Sequence, residues 1–525
     1  MNIETPNSFE RRLTSSSPAA SYALLAEKEA SNEKHFRTDH LLPNLKRHTI
    51  SGGAVTISAQ GAKFLLSLAS TMILARLLTP RDFGLVAMVM TVTNYLRVFK
   101  DAGLSIATVQ RERITHAQVS NLFWTNIAVG ALCSLIGAAA APVIARFYHN
   151  PRLIDLTLIL SATFIISGST VQHQALLRRQ MRFKALALID VSSLAVGVLV
   201  GVIMAALGYG YWSLVGSSLS AETAGFILTW SVSRWRPQLP TRRSGVGPLL
   251  SFGAYRTAGD LLTSFARGSD VLLIGRFYGA ASVGLYSRAS ALLIRPLEPL
   301  LSPISAVFVP ALSRLQSQPE LYRSTFLRVY EAIALTGCFS GLLLALARPL
   351  TLVLLGPKWE QAAVIFGAFT VAALCIPLGN ASTWLFTSQG RGRDMLIAQS
   401  INSCSMVVSF VAGLPYGPVG VAMAFSTSSL VIRVPILYFM VGRRGPVRTS
   451  DLWAVPFRYL PIWIVIFFVT WLTLILAVSL SPLAQLLVCA PVGVIVGGAL
   501  ICSFRRQRQL VIHLLETLRE LKKNR

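Results

Sequence analysis

Charge is what this chain has least of. Only 13% of its 525 residues are Asp, Glu, Lys or Arg, about half the share of a soluble domain. Acidic residues are scarcer still, 22 against 48 Lys and Arg. Cysteine is sparse and unpatterned. Cys133, Cys338, Cys375, Cys404, Cys489 and Cys502 lie in or beside apolar segments with no short spacing, which argues against a disulfide framework and a zinc site. The seven histidines are scattered. No Gly-rich loop with a Lys, no Gly-x-Ser-x-Gly on an extramembrane turn and no His-Glu-x-x-His occurs. No catalytic residue, metal or cofactor is expected. Residues 1–50 are polar, with no apolar core of a signal peptide.

What the chain does have is apolar length. Hydrophobic residues make up 53%, mean hydropathy is +0.58, and runs of about twenty apolar residues recur from 53 to 503. These runs predict an all-α polytopic membrane protein with about fourteen transmembrane helices. They fall near 53–75, 83–101, 119–146, 153–176, 185–206, 211–233, 250–275, 282–308, 328–354, 362–387, 394–413, 418–440, 456–479 and 483–503. Connections are too short for a folded soluble domain.

The net charge of +26 follows from topology. Of the 48 Lys and Arg, 35 lie in the two tails and the even-numbered loops, counted with the adjoining helix ends. Seven lie in the odd-numbered loops. That bias places both termini in the cytoplasm. Nucleic acid is excluded as a partner, because the basic residues show no aromatic interleaving. Residues 505–525 read as a basic amphipathic segment, with Leu510, Leu514, Leu518 and Leu521 on one face toward membrane lipid.

The two halves resemble each other. Ala75-Arg76-Leu77-Leu78 with Gly84-Leu85 matches Gly275-Arg276-Phe277-Tyr278 with Gly284-Leu285 at an offset of 200. Ala141-Pro142 matches Arg348-Pro349, and Tyr209-Gly210 matches Tyr416-Gly417, both at an offset of 207. Six helices return the chain to the same side, so the repeats are parallel. The expected organisation is a cytoplasmic tail (1–50), two six-helix lobes (51–240 and 241–445), two further helices (446–504) and the basic tail (505–525).

The seventh segment carries an oddity. Arg256, Asp260, Thr263, Arg267 and Asp270 fall within an arc of about 80° and run about 21 Å along one helix face. Lipid cannot solvate such a stripe, so it faces a partner helix or a wet cavity. The repeat maps it to Thr56, Gln60, Lys63, Ser67 and Ser70 in the first segment. Arg288 and Arg295, seven apart in the eighth segment, add to it beside Glu298. Five cations against three acids make a net positive cavity, suited to an anion such as a pyrophosphate head group. The candidate cavity residues are Lys63, Gln60, Arg256, Asp260, Arg267, Asp270, Arg288 and Arg295. Asp260, Asp270 and Glu222 are candidates for ion coupling. Internal pairing of Arg256 with Asp260 and of Arg267 with Asp270 is the competing explanation. For Arg288 it is a position near the outer interface.

These residues also resemble a family. Leu74-Ala75-Arg76-Leu77-Leu78-Thr79-Pro80-Arg81-Asp82-Phe83-Gly84 is similar to the first-loop signature of bacterial polysaccharide-export flippases of the colanic-acid-exporter type. Asp101-Ala102-Gly103-Leu104, the run from Arg178 to Lys184, Asp270 to Arg276, Gly284 to Ala289, and Pro357-Lys358-Trp359 resemble further motifs in the family's order. The resemblance implies a member of the multidrug/oligosaccharidyl-lipid/polysaccharide exporter superfamily. Its implied cargo is an undecaprenyl-pyrophosphate-linked oligosaccharide, flipped across the bacterial inner membrane for exopolysaccharide, capsule or O-antigen synthesis. Membrane lipids and other polysaccharide-assembly proteins are the implied partners. A flippase for the peptidoglycan lipid precursor and a cation-coupled drug antiporter are the alternatives. A membrane polymerase or ligase fits less well, because the outer loops are short.

Overall fold

Thr79-Pro80-Arg81-Asp82 shows how local chemistry starts this fold. The Thr79 hydroxyl and amide both reach the Asp82 carboxylate, the amide at 2.9 Å, and Asp82 N–H donates back to Thr79 Oγ1 at 3.3 Å. With Pro80 at the first helical position, this reciprocal cap fixes where the second helix begins.

The computed structural model describes residues 45–101, 114–240, 247–294 and 297–509, with isolated positions outside these, Phe36 among them. Of 45–51, 100–101, 247–262 and 298–300 it describes the backbone alone. Helices follow the fourteen expected segments, and no strand occurs among the described residues. The first six are α1 (Leu45–Leu77), α2 (Pro80–Asp101), α3 (His116–Phe147), α4 (Leu153–Gly168, continued by Val171–Arg179), α5 (Phe183–Ala206) and α6 (Trp212–Ser233). Gly247–Leu293 contains α7 and most of α8, divided at Gly279, and Leu297–Arg314 completes α8. α9 is broken into Pro319–Leu335, Gly337–Ala345 and Ala347–Leu355. α10 (Glu360–Ser388) and α11 (Gly392–Gly413) are continuous. α12 comprises Gly417–Ser428, a π-helical turn Ser429–Arg433, and Val434–Gly442. α13 (Thr449–Leu476) and α14 (Pro482–Ser503) close the chain.

Nine stretches of the described residues are long and apolar enough to cross a membrane, and one of them, Gly392–Gly442, holds both α11 and α12. α2 and α6 fall short because they are rich in polar residues, and α7 and α8 are described only in part. α2 has Asn94 and Arg97, and α6 has Glu222 among several serines. The protein is a multi-pass membrane protein.

Packing repeats six helices apart. α1 packs on α5 and α7 on α11; α2 on α4 and α8 on α10; α3 on α4 and α9 on α10. Likewise α5 packs on α6 and α11 on α12, and α4 on α6 and α10 on α12. Equivalent glycines behave alike. Gly210, just before α6, and Gly417, at the start of α12, both adopt a positive φ, 55° and 72°, which glycine enters without steric cost. α2 lies against α7 and α8, which joins the halves through a shared apolar core that includes Met88, Val89, Ile274 and Tyr286. α13 and α14 pack on α9. Glu331 of α9, its side chain only 7% exposed, binds Arg458 of α13 at 2.6 Å and Arg506 of the C-terminal segment at 2.7 Å. Beyond 509, all but two residues of the amphipathic segment lie outside the described residues, as does the tail before Leu45 except Phe36.

A polar cavity in the second half

α7 places three members of the expected stripe, Thr263, Arg267 and Asp270, in the wall of a cavity of about 730 Å³. The cavity is enclosed by α8, α10, α11 and α12, with α2 closing it from the first half. Gln399 of α11 donates to the Thr263 hydroxyl at 3.0 Å, so the stripe is tied to the opposite wall. Asp270 lies within electrostatic range of the hydroxyls of Tyr95, Tyr148 and Tyr286.

The opposite wall holds Arg433. α12 widens to π geometry over Ser429–Arg433, two residues before Pro435, which has no N–H to continue the α-helical ladder. Arg433 Nη2 donates to the Phe425 carbonyl at 2.6 Å and to the Ser429 hydroxyl. Its guanidinium lies 4.2 Å from the Phe425 ring centre, and Phe425 stacks on Phe410. The group is therefore held in place by a carbonyl, a hydroxyl and a π face. No carboxylate pairs with Arg433 among the described residues, and its Nε has no hydrogen-bond partner there. An uncompensated cation at membrane depth is costly, and an anionic ligand offsets that cost.

Other sequence candidates lie elsewhere. Lys63 does not line this cavity: its ammonium pairs with Asp190 of α5 at 2.9 Å. The physical reason is that α1 packs on α5 and not on α7. Gln60 shares that exposed side of α1. Arg288 turns away from the cavity, its guanidinium 4.7 Å from the Phe83 ring centre at the junction of the halves. Glu222 pairs with Arg97 of α2 at 3.5 Å. Arg256, Asp260 and Arg295 lie outside the described side chains.

Sequence reasoning passed over Asn94, Tyr95, Asn380 and Asn402, which also line the cavity. For the three asparagines the signal was present: single amides inside apolar segments are the residues that membrane interiors retain for polar contacts. In the sequence Arg433 stands out as one of several charges inside apolar segments, with Asp190, Glu222 and Glu331.

A cavity with charged and amide side chains in its wall, within a bundle of membrane-spanning helices whose packing repeats after six helices, is the architecture of a transporter. The polysaccharide biosynthesis protein family model matches residues 73–364, and the chain belongs to that family. Relatives include the teichuronic acid biosynthesis protein TuaB of Bacillus subtilis, 28% identical across 67% of this chain and 73% of TuaB. The lipopolysaccharide biosynthesis protein WzxC of Escherichia coli is 23% identical across 76% of this chain and 82% of WzxC. The succinoglycan biosynthesis transport protein ExoT of Rhizobium meliloti is 28% identical across 63% and 67%. Among solved structures, the lipid II flippase MurJ in an inward closed conformation shares the fold. Its TM-score is 0.65, at 14% identity, over 86% of this chain and 99% of MurJ. An inward-facing multidrug transporter of the MATE family reaches 0.58, at 14% identity, over 75% and 96%.

Proposed function

We propose that this protein flips undecaprenyl-pyrophosphate-linked oligosaccharide units across the bacterial inner membrane, with both termini in the cytoplasm, for exopolysaccharide, capsule or O-antigen assembly. The observation that carries the reading is Arg433, a guanidinium with no carboxylate partner among the described residues, fixed in one wall of the cavity, with Arg267 in the wall facing it. Two guanidiniums suit the forked hydrogen bonds of a diphosphate. The amides of Asn380, Gln399 and Asn402 suit sugar hydroxyls. The relatives' names, which concern teichuronic acid, lipopolysaccharide and succinoglycan, point to the same cargo class. The lobes we propose, 51–240 and 241–445, follow the repeated packing, and 446–504 is an addition to them. Coupling to a cation through Asp270, beside three tyrosines, is consistent with this cavity. For Glu222, its Arg97 partner favours a structural role.

A drug antiporter of similar fold would need to attract a cation, and Arg433 opposes that. The test is Arg433→Gln and Arg267→Gln in a polysaccharide-producing host. Each variant is expected to reach the membrane at normal level, to lower export at least about tenfold, the equivalent of about 1.4 kcal/mol of lost interaction, and to accumulate lipid-linked units on the cytoplasmic side. Full export by both variants refutes the reading.

A further inference from the structure

Trp359 does not line the cavity, yet it is fully buried. It belongs to the short helical turn Pro357–Trp359 between α9 and α10, in the second half. Its indole N–H donates at 2.8 Å to the carbonyl of Ala75, at the end of α1 in the first half. Its ring meets Phe83 edge-on, with centroids 5.3 Å apart. The socket around it is apolar and comes mainly from the first half: Leu74, Leu78, Phe83 and Ala205. Arg288 stacks on Phe83 as well, so the ring is held between a cation and an indole from the second half.

Neighbouring contacts lie at the same level. Arg76 donates to the Val353 carbonyl at 3.0 Å, and Arg276 meets His149 at 3.1 Å. α2 and α8 cross there at repeat-equivalent glycines. A Cβ on Gly84 would lie 1.7 Å from the Ala280 carbonyl oxygen, and one on Gly284 would lie 1.8 Å from that of Pro80. Since 80 and 280 are also repeat equivalents, the contact is reciprocal about the pseudo-two-fold axis. With both termini cytoplasmic, all of these contacts lie at the outer ends of the helices. In the orientation proposed above, that puts them on the outer side of the junction between the halves.

We propose that Trp359 is the gating residue of the outer face: its indole plugs a socket in the first lobe, and must withdraw for the cavity to open outward. This goes beyond the cargo assignment and rests only on the orientation proposed with it. Release exposes the Ala75 carbonyl and the apolar socket, so closure is restored when the indole re-enters. Trp359 touches no cavity-lining residue named above, and its effect is on the equilibrium between states.

The test uses Leu78→Cys, a buried socket position, in the full chain with the native cysteines replaced by serine. The probe is a membrane-impermeant maleimide. Adding Trp359→Ala is expected to speed labelling of intact cells about tenfold, and Trp359→Phe, which keeps a ring but loses the donor, by a smaller factor. If Trp359→Ala does not accumulate in the membrane, Trp359→Phe decides. Unchanged labelling in the variants that accumulate overturns the gate. Faster labelling only in inverted vesicles, with intact cells unchanged, overturns it too, and would show that the orientation is what failed. The readout requires no cargo, so it is independent of the result at Arg433.

Discussion

At the scale of the residue, glycine and arginine carry the most information, in opposite ways. Gly84 and Gly284 matter for what they lack: each allows a backbone carbonyl of the other half to come within a distance that no Cβ tolerates. Gly84→Ala and Gly284→Ala are therefore expected to force α2 and α8 apart at the outer crossing. Each should cost about 1–3 kcal/mol, as overpacking does. The double variant should cost less than the sum, since one separation relieves both clashes. Thermal unfolding in detergent measures this; additive or negligible effects would show that the crossing is not shared. The glycines were legible in the sequence as repeat markers, but their reason was not, because it lies in a carbonyl almost 200 positions away. The arginines divide similarly. Helical period put Arg267 on one charged face with Asp270, and the structure sets that face in the cavity wall. Arg433 could not be valued, since its worth depends on the absence of a carboxylate partner in three dimensions. The pairing of Lys63 is visible only in three dimensions for the same reason. Its partner Asp190 is 127 positions away and reads, in sequence, as a residue near a helix end.

At the scale of the element, apolar length and the alternation of Lys and Arg were enough to locate all fourteen helices, even the short α2 and the charged α7. Their interruptions were not legible in the same way. α4 stops after Gly168 and restarts at Val171, α9 is in three pieces, and α12 passes through a π turn. Hydropathy averages over such breaks, whereas hydrogen-bond geometry does not. The C-terminal additions depend on one buried carboxylate. Glu331 accepts from Arg458 and Arg506, which tie α13 and residues 505–509 to the foot of α9. Arg506 is 60% exposed and Arg458 32%. Arg506→Ala should thus cost about 1 kcal/mol or less, the range of solvent-screened pairs, and Arg458→Ala more. Glu331→Gln should weaken both attachments at once, making the C-terminal segment more sensitive to protease added to inverted vesicles. Unchanged cleavage would show that the segment is held by other contacts.

At the scale of the whole molecule, the repeat predicts symmetry, and the contacts between the halves depart from it. Equivalent helices pack alike within each half, yet between the halves α7 leans on α2 while α1 stays with α5. The stripe on α7 thereby enters a cavity, and its counterpart on α1 is left on an exposed side where Lys63 and Asp190 neutralise each other. Internal symmetry was legible because it is written in matched residues. The asymmetry was not, because it is a choice between two docking partners of nearly equal pattern. The two lobes should then respond differently to charge exchange. Lys63 and Asp190 are 32% and 46% exposed, and lipid cannot solvate them, so they mark the wet side of α1 and α5. If their value lies in pairing, Lys63→Ala and Asp190→Ala should each lower export, and the exchange Lys63→Asp with Asp190→Lys should restore most of it. No such exchange is available to Arg433, which among the described residues meets carbonyl, hydroxyl and ring but no acid. Arg433→Lys should therefore fail, because an ammonium cannot reproduce a stacked, forked guanidinium. Export measured side by side separates the roles: rescue by the exchange assigns the first-lobe pair to structure and leaves the cargo's anionic group to the second lobe. Failure of the exchange, with normal membrane levels, would return Lys63 to the cargo-binding set and make the binding surface two-sided.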